Sequence, residues 1–151
     1  MAQPMVWACK KFDALTPAEL YEILRLRSEV FVVEQQCIFL DQDRKDADAH
    51  HLMGWQGDTL AAYARLLPPG LMYPEMSIGR VVSSPAFRKT GAGRQLMEEA
   101  ITGCRRLFGS GPIRIGAQLY LKNFYSSLGF NISGDEYLED GIRHVEMTRI
   151  S

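Results

Sequence analysis

Four groups of residues in this chain have types and spacings that chemistry can use. Gly91 and Gly93 stand two apart with Arg88, Lys89 and Arg94 beside them, and Leu96, Met97, Ala100, Ile101, Cys104 and Leu107 follow at helical spacing. A helix that opens on glycines lets its free backbone N–H groups and positive dipole end approach an anion closely, with cations alongside. That stretch reads as a phosphate cradle. Tyr125 offers a phenol close to Asn123 and just ahead of Gly129 and Phe130. Arg27 and Glu34 lie seven residues apart, two turns of a helix. Finally, Asp41, Asp43, Asp46 and Asp48 crowd one loop and are followed by His50 and His51.

Familiar alternatives for these groups fail on spacing. A Walker loop needs a lysine followed by a hydroxyl residue after its second glycine, and the dinucleotide fingerprint needs a third glycine where Leu96 stands. An EF-hand wants a ligand and then a glycine where Lys45 and Asp46 fall, so calcium is not expected in the aspartate loop. Neighbouring strand residues point to opposite faces, so His50 and His51 are poorly placed to share a metal; one is expected inside and the other toward solvent. No metal is expected.

These groups need elements to position them. Met5 to Phe12 reads as a first strand. Thr16-Pro17-Ala18-Glu19 is a capping box with proline at the first helical position, and Leu20, Ile23, Leu24, Val30 and Phe31 trace the apolar stripe of the helix that follows. Extending that helix places Glu34 on its apolar face together with Arg27. Two strands, His51 to Gln56 and Thr59 to Leu67, form a hairpin around Gly57 and Asp58, and Pro68-Pro69-Gly70 ends the second. The β-branched run from Ile78 to Pro85 is a central strand that feeds the glycine loop and long helix. Gly109-Ser110-Gly111-Pro112 then breaks the chain before a fifth strand, Ile113 to Gln118, expected parallel to the central one. A short helix ends at Gly129.

Composition narrows the class. A chain of 151 residues, 46% of them hydrophobic, fits one domain over 1–151 with a sizeable core. A net charge of -1 with interspersed signs argues against nucleic-acid binding, and the apolar runs are too short for a membrane span. The first residues do not read as a signal peptide, and Cys9, Cys37 and Cys104 are odd in number and widely spaced, so a cytoplasmic setting is expected.

Two motifs carry a resemblance. Arg88-x-x-Gly91-x-Gly93, behind a strand and a Pro85 turn, resembles the acyl-CoA pyrophosphate loop of the GNAT N-acetyltransferase superfamily, and Asn123-Phe124-Tyr125-x-x-x-Gly129-Phe130 resembles its second acyl-CoA motif. The stretch from Arg27 to Gln35, the acidic loop, His50, and Tyr137-x-Glu139-Asp140-Gly141-Ile142-x-His144 look like the ElaA-like branch, so the likeness covers nearly the whole chain. It implies an α/β fold: a mixed, splayed sheet flanked by helices, with the fourth and fifth strands parting to admit the pantetheine arm. Asn131 to Tyr137 and Ile142 to Ile150 are then the last antiparallel strands.

The resemblance also implies chemistry: transfer of an acetyl group from acetyl-CoA to a primary amine, on a small molecule or a peptide, by direct attack on the thioester. Backbone groups of Val81, Val82 and Ser83 are expected to bind the pantetheine and thioester carbonyl, and amides of Arg88, Lys89, Thr90, Gly91, Ala92, Gly93 and Arg94 the pyrophosphate. Asn123 would support the cofactor or cap locally. Tyr125 is the candidate acid for the leaving thiolate, with packing as its alternative role. The base stays open among Glu34, Asp43 and His50, with Glu34 favoured; Arg27, Glu34, Asp43 and His50 are the expected acceptor side. Many relatives carry a carboxylate on the fourth strand, where this chain has Ser77 and Gly79. Rival readings are a noncatalytic acyl-CoA sensor and an acyl-homoserine-lactone-synthase-like acyltransferase. Monomer and homodimer both remain open.

Overall fold

A computed structural model describes residues 4–150. Its strands are β1 (Val6–Lys11), β2 (His50–Gln56), β3 (Thr59–Leu67), β4 (Met76–Ser83), β5 (Ile113–Gln118), β6 (Asn131–Glu139) and β7 (Ile142–Arg149), and its α-helices are α1 (Pro17–Arg27), α2 (Ala92–Phe108) and α3 (Lys122–Ser126). The seven strands form one sheet in the order β1-β2-β3-β4-β5-β7-β6. Every pairing is antiparallel except β4 with β5. That parallel contact lasts for only two residue pairs, Met76 with Ile113 and Ser77 with Arg114. From Ile78 onward the two strands part, which is the splay the resemblance implied.

A bulge in β4 accompanies the parting. Tyr63 pairs with Val82 and Arg65 with Gly79, so Ala64 alone faces both Arg80 and Val81. Arg80 takes up the extra residue at φ +50°, a conformation that few L residues adopt. Continuous β-branched sequence from Ile78 predicts a plain strand; the bulge bends it away from β5.

Helix α1 begins as its sequence predicts. Thr16 Oγ1 accepts from the Glu19 backbone N–H at 3.1 Å, and the Glu19 carboxylate accepts from the Thr16 N–H at 2.8 Å. After Arg27 the winding changes to a π-helical segment, Ser28–Glu34, with Gln35 N–H bonded to the Val30 carbonyl at 3.0 Å. The crowded run Val30-Phe31-Val32-Val33 coincides with the widening. Because such a segment turns less per residue, seven residues no longer complete two turns, and Glu34 leaves the face that Arg27 occupies.

Two cores sandwich the middle of the sheet. On one face α2 lays Leu96, Met97, Ala100, Ile101 and Cys104 against Leu66, Ile78, Ile113, Ile115, Val145 and Met147. On the other, Ile23, Leu26 and Val30 pack against Met53, Tyr63 and Val82. The second cover stops at the splay. Strands β5 and β7 therefore have one face in the core, while Gly116, Gln118 and His144 line an open cavity on the other. No described helix is long and apolar enough to cross a membrane.

Candidate functional site

The cavity, about 1020 Å³, opens where β4 and β5 separate. Val81, Val82 and Ser83 line one wall, and beyond Ser77 their strand has no β5 partner, so backbone groups on that edge are available to an extended ligand. Lys89 and Gly93 stand at the end of that wall. Gly91 caps α2 at φ +86°, with nothing within 4 Å of where a Cβ would be. A Cβ at Gly93 would meet only Ser83 Oγ, at 3.8 Å. Both glycines leave the helix start sterically open, the space a bound anion would need.

The cations around that helix start differ in their availability. Arg88 forms a two-point pair with Glu34, Nη1 and Nη2 each 2.6 Å from a carboxylate oxygen. Arg94 donates to Ser127 Oγ and lies 5.9 Å over the Phe124 ring. Lys89, at φ +63°, has no acidic partner among the described residues. Thr90 turns its hydroxyl back to the Phe87 carbonyl. Ala92 is the buried first residue of α2, and Asn123 on α3 accepts from the Ser127 N–H through its carbonyl at 3.1 Å; neither side chain lines the cavity.

Tyr125 does line it. Its ring packs edge-on against Phe124 and Phe130, at 5.2 and 6.1 Å between centroids, and its hydroxyl has no hydrogen-bond partner among the described residues. Burial, reinforced by Tyr120, pushes the phenol up to about 12, so it is a proton donor at neutral pH.

The acidic loop does something the sequence did not reveal. Arg27 Nε donates to Asp41 at 2.7 Å and Nη1 to Asp46 at 2.8 Å, while Arg80 Nε reaches the second Asp41 oxygen at 2.8 Å. Arg65 grips both oxygens of Asp43, at 2.7 and 2.8 Å, and Asp46 at 3.1 Å. Three guanidiniums and three carboxylates thus neutralise one another beneath the cavity. Burial alone would raise Asp43, but the Arg65 hydrogen bonds and charge hold it well below the carboxylate range. His51, fully enclosed, bridges Tyr63 Oη at 2.7 Å and the Asp46 carbonyl at 2.9 Å. The one available signal was a loop rich in aspartates in a chain with arginines on the helix before it and the strands after it, Arg27, Arg65 and Arg80, which names no partners.

The expected acceptor-side residues are consequently scattered. Arg27 is wholly enclosed at 0% exposure and lines no part of the cavity. Asp43 reaches the wall, but in the grip of Arg65. His50 points the other way, its ring edge-on to Phe108 at 5.6 Å and away from the cavity. Glu34 is at the rim, exposed and paired with Arg88, not on an apolar helix face; the change to π winding is the reason. Its hydrogen bonds to Arg88 lower its pKa further.

Across the splay lies a cluster assigned no chemistry from sequence: Tyr73, Tyr137, Glu139 and His144. Tyr137 stacks on the His144 ring at 5.5 Å and 25° between planes. His144 Nδ1 is 2.8 Å from the Ile142 carbonyl, and Nε2 is 3.6 Å from a Glu139 oxygen. Gly116 makes room for the phenols: a Cβ there would come within 2.4 Å of Tyr137 Oη and 3.2 Å of Tyr73 Oη. Burial, with Tyr73 next in effect, raises the Tyr137 pKa. Two ties span the mouth. Gln35 and Gln118 exchange hydrogen bonds at 3.3 and 3.4 Å, and Cys37 Sγ lies 3.4 Å from the Asp140 carbonyl.

The sequence profile of the acetyltransferase (GNAT) domain matches residues 22–151. The protein ElaA of Escherichia coli is 41% identical over 145 residues, 95% of each chain, and its crystal structure covers 97% of this chain and 99% of its own at a TM-score of 0.90. An acyl-CoA N-acyltransferase from Pseudomonas aeruginosa is 45% identical, covers 97% of this chain and 99% of its own, and superposes with a TM-score of 0.91. A Bacillus subtilis acetyltransferase solved with CoA, 22% identical, shares the fold over 98% of this chain and 99% of its own at a TM-score of 0.66.

Proposed function

The chain belongs to the GNAT acetyltransferase family, in its ElaA-like branch, and from that premise we propose that it transfers an acetyl group from acetyl-CoA to a primary amine by direct attack on the thioester. The observation that supports this reading most is the unpartnered edge of β4 leading to an open, glycine-started helix on one side and to Tyr125 on the other.

The residues present fit acetyl-CoA. In this reading its pantetheine amides add to the free edge at Val81, Val82 and Ser83, as an extra strand would, and the same edge polarises the thioester carbonyl. Amides from Arg88 to Gly93 receive the pyrophosphate, with Lys89 as the ready cation and Arg88 recruited from Glu34. The amine nitrogen attacks the carbonyl carbon, the C–N bond forms, the C–S bond breaks, and Tyr125 gives its proton to the departing sulfur.

A thermal-shift titration with acetyl-CoA, followed by a panel of amines with thiol release as the readout, tests the proposal. Saturating acetyl-CoA at about 100 times Kd should stabilise the fold by about 2.7 kcal/mol, and at least one amine class should accelerate thiol release. Binding with no release for any amine would favour a noncatalytic sensor; neither binding nor release would overturn the CoA reading altogether.

A further inference from the structure

We propose that His144 is the general base of this site, accepting the first proton of the acceptor ammonium group at Nε2. The assignment rests on the acetyltransferase reading above, but its geometric basis is separate. A carbonyl oxygen only accepts, so the 2.8 Å contact with Ile142 O requires the proton on Nδ1. In the neutral ring Nε2 then carries the free lone pair. Its nearest ionic neighbour, Glu139 Oε2 at 3.6 Å, is another acceptor and lies too far for a hydrogen bond. Tyr137 locks the ring plane, and the residue lines the cavity that Tyr125 also lines.

Of the other carboxylates on the cavity wall, Asp43 is gripped by Arg65, Glu34 sits at the rim beside Arg88, and Glu139 and Asp140 belong to the same end as His144. Around His144 stand Glu139 and Tyr137 on β6, Asp140 in the β6–β7 turn, Gln118 opposite it on β5 and Tyr73 beyond Tyr137, while Glu146, two residues along β7, is paired with Arg114 of β5, which also lies over the Tyr73 ring. Glu139 and Asp140 at this end of the cavity favour the approach of a cationic amine, whereas the α2 end is basic.

The protons balance. His144 Nε2 takes one proton from R–NH3+, and the freed lone pair attacks the thioester. Tyr125 protonates the departing sulfur and is replenished by the second nitrogen proton. The imidazolium then returns its proton to solvent. The products are the acetamide, the CoA thiol and one released proton.

His144→Asn keeps a donor for the Ile142 carbonyl and removes the base. For a strongly basic alkylamine it should lower kcat/KM by about 10²-fold or more near neutral pH, with activity recovering as rising pH makes more of the amine neutral, and leave acetyl-CoA affinity unchanged. A weakly basic arylamine, already neutral at assay pH, should lose less than about tenfold, a distinction that a merely structural role would not produce. Nitrogen-15 NMR of the histidines should show the neutral ring of His144 as the Nδ1–H tautomer. The opposite tautomer, or equal losses for both amines, overturns the assignment while leaving the acetyltransferase reading intact. A wild-type protein that binds no acetyl-CoA and releases no thiol overturns both.

Discussion

Two polar clusters flank the splay, and they treat their charges in opposite ways. Under β3 and β4, Arg27, Arg65 and Arg80 are matched against Asp41, Asp43 and Asp46; Arg27 and Arg65 are 0% and 1% exposed, and Asp41 is 3% exposed. Their strong acceptors are taken by strong donors. Across the gap, Tyr125 and His144 also sit in the cavity wall, yet the Tyr125 hydroxyl and His144 Nε2 have no hydrogen-bond partner among the described residues. Matched charges hold the loop after the π-helical segment against the sheet. Unmatched donors and acceptors remain for a ligand. A loop full of aspartates attracts attention in the sequence, but the proposed chemistry falls to the sparser cluster.

The largest effect should come from breaking the matched cluster. Arg27→Met leaves Asp41 and Asp46 buried with fewer donors and should cost about 3–5 kcal/mol in urea unfolding. Acid probes the same cluster. Asp43 and Asp46 ionise below their ordinary values because the arginine hydrogen bonds outweigh burial. Their contribution is therefore complete above about pH 4, where an unfolded aspartate is ionised, and fades as pH falls through their folded values. Melting temperature should drop in that window. A flat profile there, or Arg27→Met within about 1 kcal/mol of wild type, would erase the contrast between the clusters.

The unmatched cluster should respond in rate, not in stability. Tyr125→Phe keeps the ring packed on Phe124 and Phe130 and removes only an unpaired hydroxyl. It should lower kcat by about 10²-fold with little change in acetyl-CoA affinity, while stability changes by less than about 1.5 kcal/mol. Wild-type turnover, with chemistry shown to limit the rate, would return Tyr125 to a packing role.

How much of this was legible depends on how local each feature is. The capping box at Thr16, the hairpin at Gly57, and the long amphipathic helix after Gly91 are set by neighbours in sequence, and they form where spacing places them. The π-helical segment and the β4 bulge were not legible. Nothing local marks Arg80 for positive φ, and its side chain is held by Asp41, 39 residues away. Arg27 and Glu34 were linked by a helical periodicity that stops at Ser28. His144 was visible only within a family-like stretch, because its tautomer depends on folding back to the Ile142 carbonyl and its freedom depends on the gap between β4 and β5.

A smaller effect tests the cradle. Gly93→Asp has room, since its Cβ would lie 3.8 Å from Ser83 Oγ, and a carboxylate in the first turn of α2 favours the helix itself. The folded variant should nonetheless bind CoA about tenfold more weakly or worse, because the same carboxylate repels the pyrophosphate. Calorimetric titration at low salt measures it. Unchanged affinity would move the pyrophosphate elsewhere.

The smallest predicted effect concerns Glu34, which stands between the two clusters in character. It is paired as the buried aspartates are, but both Glu34 and Arg88 are 41% exposed. Exposed pairs contribute at most about 1 kcal/mol, about fivefold in an equilibrium constant. If Arg88 must leave Glu34 to meet the pyrophosphate, Glu34→Gln removes a competitor, and CoA should bind up to about fivefold more tightly. Because the pair is exposed, that gain should fade in high salt, where the screening length shrinks to about 3 Å at 1 M. The rate with a saturating alkylamine should stay near wild type at every pH, since on this reading His144 carries the proton. A loss confined to low pH would instead make Glu34 the base, and the division between charges that hold the fold and groups that do chemistry would have to be redrawn through the rim of the cavity.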